Sequence, residues 1–108
     1  MRLIRWQERE PAREEALWQR MRQEGLRPYT WSNGPGDRYG VHSHSYEKVL
    51  YCVRGSIRFV LPDVLDTHGK ETAVDMAPGD CLILSPGERH SALVSEQGVT
   101  CLEAARGG

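Results

Sequence analysis

Three of the four histidines of this 108-residue chain lie in two short segments that are rich in turn residues. His42 and His44 stand two residues apart and lead into an apolar, β-branched run, whereas His90 follows the turn sequence of residues 85–87. Residues i and i+2 of an extended strand point to the same face, so we expect the first two imidazoles on one surface. Neutral imidazole binds Fe, Ni, Cu, Zn and, less well, Mn. The spacing of His42 and His44 therefore suits two ligands on one divalent transition metal, whose identity the ligand type does not name.

The two segments resemble the paired motifs of the cupin superfamily. The matching positions are Gly36, His42, His44 and Gly55 in the first motif, and Gly79, Gly87 and His90 in the second. The resemblance implies an all-β fold, namely a small antiparallel cupin barrel of the jelly-roll type (a double-stranded β-helix) with one N-terminal α-helix. It also implies that His90 joins His42 and His44 as ligands of one divalent transition metal, and the alternative is a barrel that keeps these imidazoles without a metal. The resemblance does not name a reaction, because cupins serve as dioxygenases, isomerases, decarboxylases, storage proteins and sensor domains.

Lys48 is the main departure from the family pattern. Counting back from Gly55 puts Lys48 where the family has its liganding Glu, with Glu47 one residue earlier. A protonated Lys has no lone pair and cannot replace a carboxylate ligand. Three arrangements are open: Lys48 pairs with a carboxylate such as Glu47 or Asp37, or a shifted strand makes Glu47 the fourth ligand, or Lys48 enters the cavity to hold an anion or act as a base. Three-histidine iron sites occur among cupins that resemble the thiol dioxygenases, where the missing carboxylate leaves positive charge for a chelating anionic substrate.

The composition of the chain limits the kinds of partner and the cellular compartment that we expect for it. The net charge of −1 predicts no general attraction to nucleic acid or to an anionic membrane. No apolar run approaches the length of a membrane span, and the charged N-terminal residues lack the apolar core of a signal peptide. The three cysteines are odd in number, far apart and within apolar segments, which is typical of a reduced cytoplasmic protein. We expect a small-molecule ligand, anionic in nature, and neither nucleic acid nor membrane as a partner.

The N-terminal part, residues 1–27, is predicted to be an arm followed by a helix. Pro11 suits the first position of a helix, and Gly25 suits its end. Between them an apolar stripe of Leu17, Trp18 and Met21 recurs at helical spacing and is expected to dock against the remaining domain.

Residues 28–108 are predicted to form the barrel, with eight or nine short strands separated by Gly, Pro or Asp. Arg54-Gly55 predicts a tight hairpin, and Ala104–Gly108 predicts a frayed tail. Residues 49–53 are apolar on both faces. One face is expected to fill the barrel and the other to be covered by a second subunit, which predicts a homodimer.

Two classes of function follow from these predictions. The first is a metal-dependent enzyme acting on a small organic acid, either an oxygenase or an isomerase, in which Lys48 and Tyr46 are the candidates for acid–base catalysis. The second is a non-enzymatic cupin that binds or senses a small ligand or a metal, which the absence of the usual Glu favours.

Overall fold

A computed structural model describes residues 1–107 of the chain. Its elements in chain order are β1 (Arg2–Ile4), α1 (Glu14–Gln23), β2 (Tyr29–Asn33), β3 (Arg38–His42), β4 (Glu47–Leu65), β5 (Glu71–Met76), β6 (Cys81–Leu84) and β7 (His90–Arg106). The strands pair antiparallel in one seven-stranded sheet of order β1-β6-β4-β7-β2, with β3 joined to β7 and β5 to β4. The predicted fold class, a small antiparallel barrel with one helix, is confirmed.

The strands are fewer and longer than the sequence predicts, because β4 and β7 pass through glycine bulges without reversing. The predicted hairpin at Arg54-Gly55 is wrong: β4 pairs with β7 on both sides of it, with register shifts around Gly55. Gly55 and Gly98 have φ of +76° and +73°, and a Cβ on Gly55 would lie 2.0 Å from the carbonyl oxygen of Gly98. Only glycine allows the two strands to approach so closely while they bend.

The tail prediction is also wrong for most of its length. Strand β7 continues to Arg106, which pairs with Glu47, and Ala104 is buried opposite Val49. The long partner strand β4 provides hydrogen bonds that local sequence cannot reveal. Gly108, the last residue of the predicted tail, lies outside the described residues.

The two faces of the sheet bury two separate apolar clusters. The inner cluster comprises Leu50, Cys52, Ile57, Phe59, Leu61, Val74, Met76, Leu82, Leu84, Ala92, Val94, Val99 and Cys101. The outer cluster comprises Leu17, Met21, Leu26, Val49, Tyr51, Val53, Cys81, Leu102 and Ala104. Strand alternation separates the two sets, since successive side chains point to opposite faces.

Helix α1 covers the outer face of β4. Leu17 and Met21 are fully buried there, and the half-buried Trp18 packs at the edge of the same cluster. The chain therefore supplies its own cover for the face that was expected to need a second subunit. The homodimer, like the division at residue 27, stays a prediction.

The turn before β6 is held by one buried carboxylate. Residues 77–80 form a tight turn in which Gly79 has a φ of +91° and the Asp80 N–H donates to the Ala77 carbonyl at 3.0 Å. The Asp80 carboxylate accepts hydrogen bonds from the backbone N–H of Ala77 and Trp6, both at 2.9 Å, and from Arg5 at 2.7 Å. These bonds join the N-terminal arm, whose strand β1 pairs with β6, to the barrel.

The three cysteines are buried free thiols, as predicted from their apolar settings.

Within residues 1–107, no helix combines the length and the apolar character that a bilayer crossing requires.

Candidate metal centre

The three motif histidines converge where β3 meets β7. His42 ends β3 and is paired directly with His90, the first residue of β7. His44 lies beyond β3, and its carbonyl accepts a 2.7 Å hydrogen bond from the Gly87 N–H, which joins the two motifs. The ring centroids are 4.4 Å apart for His42 and His90, 5.0 Å for His42 and His44, and 5.4 Å for His44 and His90.

One ligand nitrogen from each ring lies within 4.8 Å of the other two. Two nitrogens bound at about 2.1 Å to one metal ion can be up to about 4 Å apart. A small inward movement of the imidazoles would therefore place all of them on a single ion. Within residues 1–107, this is the group of potential ligands that is close enough to share one.

Backbone carbonyls orient two of the rings. The Nδ1 atom of His42 lies 2.7 Å from the Gly40 oxygen, and that of His90 lies 2.9 Å from the Glu88 oxygen. A carbonyl only accepts hydrogen bonds, so each Nδ1 carries the proton and each Nε2 presents a lone pair. The Nε2 atoms of His44 and His90 are buried without a hydrogen-bond partner. Such orphaned polar atoms are costly, and a metal ion would satisfy them.

Burial lowers the pKa of both His44 and His90 below the ordinary value of 6.5. The positive charge of Lys48 and the electrostatic interaction with His42 lower the pKa of both rings further, while the hydrogen bond to the Glu88 carbonyl opposes the change at His90. Both imidazoles are therefore uncharged at neutral pH, which is the form that binds metal. The donor set, its tautomers and its protonation state all fit a divalent transition metal.

A cavity of about 360 Å³ opens beside the histidines. Its apolar wall is formed by Trp31, Tyr39, Ile57, Phe59 and Ala92, and its polar lining by Tyr29, His42, His44, Lys48 and Glu103. A cavity of this volume accommodates a small organic molecule.

Lys48 lines this cavity and forms an ion pair with a carboxylate that was not predicted from the sequence. Its Nζ lies 3.1 Å from Oε1 of Glu103, and both residues are more than nine-tenths buried. Trp31 donates to the same oxygen at 3.0 Å, and the Tyr29 hydroxyl donates to Oε2 at 2.5 Å. Burial and the adjacent Glu103 raise the pKa of Tyr29, which keeps its hydroxyl protonated as a donor.

The other two candidate residues lie elsewhere. Glu47 is on the opposite face of β4, where Arg106 donates to its carboxylate at 3.1 Å, and it is not part of the histidine group. Strand alternation that turns Lys48 inward turns Glu47 outward, so the geometry does not favour Glu47 as a ligand. The ring of Tyr46 packs against His44 at a centroid distance of 5.0 Å and is absent from the cavity lining.

Sequence reasoning missed Glu103 together with Tyr29 and Trp31. A signal was present for Glu103, because it is the single charged residue in the apolar run from Val99 to Ala105. It shares the strand face of Cys101, which lies in the inner cluster. A charge at an inward position of such a run is a reason to look for a buried partner.

Comparisons with known proteins support this description. The chain is 36% identical over 69 residues to a 3-hydroxyanthranilate 3,4-dioxygenase of Burkholderia lata, a match that covers 64% of the chain and 37% of that protein. A variant of oxalate decarboxylase from Bacillus subtilis superposes with a TM-score of 0.63 at 25% identity, over 77% of this chain and 21% of the enzyme chain. A second variant gives 0.61 at 25% identity, over 74% and 20%. No family model matches the chain.

The antiparallel barrel, the converging histidines and these likenesses identify a metal-binding type of β-barrel. The chain has the fold and the histidine cluster of a small cupin, and Lys48 stands at the position of that family's liganding Glu. It spans about a third of the length of the curated dioxygenase, at 37%, and about a fifth of the decarboxylase, at 21%.

Proposed function

We propose that this chain is a metal-dependent oxygenase domain that acts on a small organic acid. The observation that carries the proposal is the pair of orphaned, buried Nε2 atoms of His44 and His90, two histidines whose ligand atoms, with that of His42, lie within 4.8 Å of one another next to a cavity of about 360 Å³. In this proposal His42, His44 and His90 hold one ion of Fe, Mn, Ni, Zn or Cu. When bound, such an ion supplies Lewis acidity and, if it is iron or manganese, redox capacity.

Charge supports an anionic ligand. An imidazole that binds a metal through its lone pair contributes no charge, so three histidine ligands would leave the full positive charge of a divalent ion uncompensated. Lys48 adds no free charge, because Glu103 neutralises it. An anionic oxygen of the ligand would offset the charge of the ion at the histidine end of the cavity.

The residues around the histidines have distinct tasks in this proposal. The carbonyls of Gly40 and Glu88 hold the rings of His42 and His90 in the tautomer that leaves Nε2 free. Trp31, Tyr39 and Phe59 exclude water from the cavity and contact the body of the ligand.

The comparisons favour an oxygenase over the isomerase that the sequence left open. The curated relative is a dioxygenase, and the structural relatives include a decarboxylase described with Mn(II) centres. Both names refer to small organic acids as substrates, and neither refers to an isomerisation.

A non-enzymatic ligand-binding domain is the second candidate, and one observation favours it. Glu103 is the carboxylate that lines the cavity, and it is already engaged by Lys48, Trp31 and Tyr29. No other lining side chain of the described cavity is a free carboxylate that could act as a general base.

Elemental analysis and oxygen consumption test the proposal together. Protein purified without chelators and without a histidine tag should carry close to one transition metal per chain, and His44→Ala should lose most of it. An oxygen electrode should then record uptake by the metal-loaded protein with 3-hydroxyanthranilate or other small hydroxy and amino acids of aromatic type, and none with His44→Ala.

The outcomes separate the two candidates. Metal-loaded protein that binds these acids but consumes no oxygen supports the binding domain and contradicts the oxygenase. Protein that is free of metal and refuses added Fe, Mn, Ni, Zn and Cu contradicts the metal site and the oxygenase.

A further inference from the structure

Lys48 places a positive charge beside the histidines. It lines the same cavity as His42 and His44. After burial, which is the first cause, the charge of Lys48 contributes to the lowered pKa of both His44 and His90. A charge that acts on both of these rings also acts on an ion that lies between them. An ammonium offers no lone pair and repels a divalent cation, so Lys48 by itself opposes metal binding.

Glu103 supplies the opposite charge at the same place. Its Oε1 atom lies 3.1 Å from the Nζ of Lys48, and the side chains of Lys48 and Glu103 are 11% and 8% exposed. At His44 the two charges act in opposite directions: burial and Lys48 lower the pKa of the ring, whereas Glu103 raises it. The carboxylate therefore offsets the charge of the ammonium at the histidines as well as within the pair itself.

Two neighbouring side chains hold Glu103 against Lys48. Trp31 donates to Oε1 at 3.0 Å and Tyr29 donates to Oε2 at 2.5 Å, so both oxygens of the carboxylate are engaged. Within residues 1–107, the group whose ligand atoms could share one ion consists of the three histidines and does not include Glu103. The fixed carboxylate would therefore act on a bound metal through its charge and not as a ligand.

We infer that Glu103 is the residue that allows a divalent metal to bind beside Lys48, because its carboxylate cancels the charge of the ammonium without joining the ligand set. Glu103 is in this sense a positioning residue, which acts on the ion through Lys48, and Tyr29 and Trp31 keep it in place. The inference rests on the metal site of the proposed function. It predicts that metal affinity depends on the net charge of the pair and not on the presence of either side chain.

A double-mutant cycle tests this dependence on charge, with Co(II) as the probe. The four proteins are the wild type, Glu103→Gln, Lys48→Met and the double variant Lys48→Met/Glu103→Gln. Gln keeps the shape of Glu and an oxygen that can accept from Trp31 or Tyr29, and Met keeps most of the length of the Lys side chain without its charge. Competition with a coloured chelator at neutral pH gives the dissociation constant of Co(II) for each metal-free protein, prepared without a histidine tag.

The two single substitutions should change metal affinity in opposite directions. Glu103→Gln leaves the positive charge of Lys48 and should weaken Co(II) binding by about tenfold or more, which is the scale of one charge-assisted contact. Lys48→Met leaves the negative charge of Glu103 and should tighten Co(II) binding by about tenfold. The double variant carries neither charge and should lie within about threefold of the wild type. Structural damage alone would weaken binding in every variant, and most in the double variant.

Two controls accompany the cycle. Glu47→Gln is the matched variant, because it removes a carboxylate that is next to Lys48 in sequence but pairs with Arg106 on the opposite face of β4. It should leave the Co(II) affinity within about twofold of the wild type, since an exposed ion pair contributes little. The visible absorption bands of bound Co(II), which depend on its ligands, should be the same in all of these proteins, because the same histidines hold the ion.

Failure of the inference can be told apart from failure of the proposed function. In wild-type protein that binds Co(II), the inference alone is overturned by unchanged affinity in Glu103→Gln or by Lys48→Met that binds no more tightly than the wild type. A double variant closer in affinity to Glu103→Gln than to the wild type, or a Co(II) spectrum that changes in Glu103→Gln, would show that Glu103 acts as a ligand or through the fold, and overturns it too.

The remaining outcomes are also decisive. If Glu103→Gln does not fold, Lys48→Met must still bind Co(II) more tightly than the double variant, and equal affinity overturns the inference. Absence of oxygen uptake contradicts the oxygenase but leaves the inference standing. Wild-type protein that takes up no Co(II) overturns the metal site and the inference with it.

Discussion

Asp80 and His90 are both almost completely buried, at 4% and 1% exposed, yet their polar atoms have opposite surroundings. The carboxylate of Asp80 is surrounded by donors from Arg5, Trp6 and Ala77. His90 is anchored through Nδ1, but its Nε2 has no partner. A satisfied buried group contributes to stability, whereas an orphaned one costs stability and indicates a ligand. The comparison therefore separates the part of the protein that holds the chain together from the part that we propose binds metal.

The sharpest test of this contrast is His90→Ala. Loss of one ligand of three should weaken metal binding by roughly a hundredfold or more, since even substitution of a residue that only hydrogen-bonds to a ligand lowers metal affinity by about 10–100-fold. A competition titration with a coloured chelator measures the effect. The far-ultraviolet circular dichroism of the metal-free variant should match that of the wild type. Metal affinity that stays within a factor of about two would show that His90 is an ordinary buried histidine.

Asp80→Asn should have the opposite effects to His90→Ala: it should lower the stability of the protein and leave the metal affinity unchanged. The charge that accepts from Arg5 is lost, and one backbone donor faces an amide instead of an oxygen, so the free energy of unfolding should fall by about 2–3 kcal/mol. Urea denaturation measures this change, and the same chelator competition should return the wild-type metal affinity. If metal binding fell as well, the two sites would be coupled and the contrast between them would be broken.

Lys48→Glu places a carboxylate at the family's ligand position. It tests the same contrast by adding a possible metal ligand instead of removing one. The new carboxylate would lie beside Glu103, so the metal-free protein should be destabilised and divalent metal should bind more tightly. Each effect should be about 1–3 kcal/mol, which is the scale of one charge-assisted contact. Thermal melts with and without added Mn(II) should show a larger metal-induced rise in Tm than in the wild type. An equal rise in both proteins would mean that position 48 does not face the metal.

The smallest expected effect is the change in the free energy of unfolding with pH that arises from the Asp80 carboxylate. Burial by itself would raise the pKa of Asp80, but the hydrogen bonds from Ala77, Trp6 and Arg5 outweigh it and hold this pKa below the ordinary value of 3.8. The unfolded chain therefore binds the proton more readily than the folded one. The contribution of Asp80 is complete at neutral pH and is lost as the pH falls from about 5 towards 2.

Comparison with Asp80→Asn isolates this contribution. The difference in stability between wild type and variant should be constant from about pH 6 to 8 and should narrow below about pH 5. Urea midpoints measured across that range give the difference directly. A gap that widened in acid would mean that the pKa of Asp80 is raised in the folded protein.

The histidine positions were readable from sequence because their signal is local. His42 and His44 stand two residues apart, and the turn residues before His90 mark the start of a strand. The inward direction of Lys48 followed from strand alternation once Gly55 set the register. Neither step required knowledge of which distant residues are neighbours.

The partner of Lys48 could not be predicted in the same way. Asp37 and Glu47 were expected because they are near in sequence, but the carboxylate comes from Glu103, which lies on β7 opposite Leu50 of β4. Only the pairing of these two long strands brings the charges together. The same pairing carries β4 through Gly55, where local turn chemistry predicted a hairpin.

The sequence by itself determined the likeness to cupins, through the residues of two short motifs. It also determined the fold class and the residues that converge as a candidate metal site, because these depend on short-range spacing and strand periodicity. Tertiary structure decided what surrounds those residues. It set α1 over the outer face of β4, where a second subunit had been expected, and it neutralised Lys48 with Glu103. Burial and charge compensation depend on contacts between segments far apart in the chain, and the register of long strands establishes them only when the whole sheet has formed.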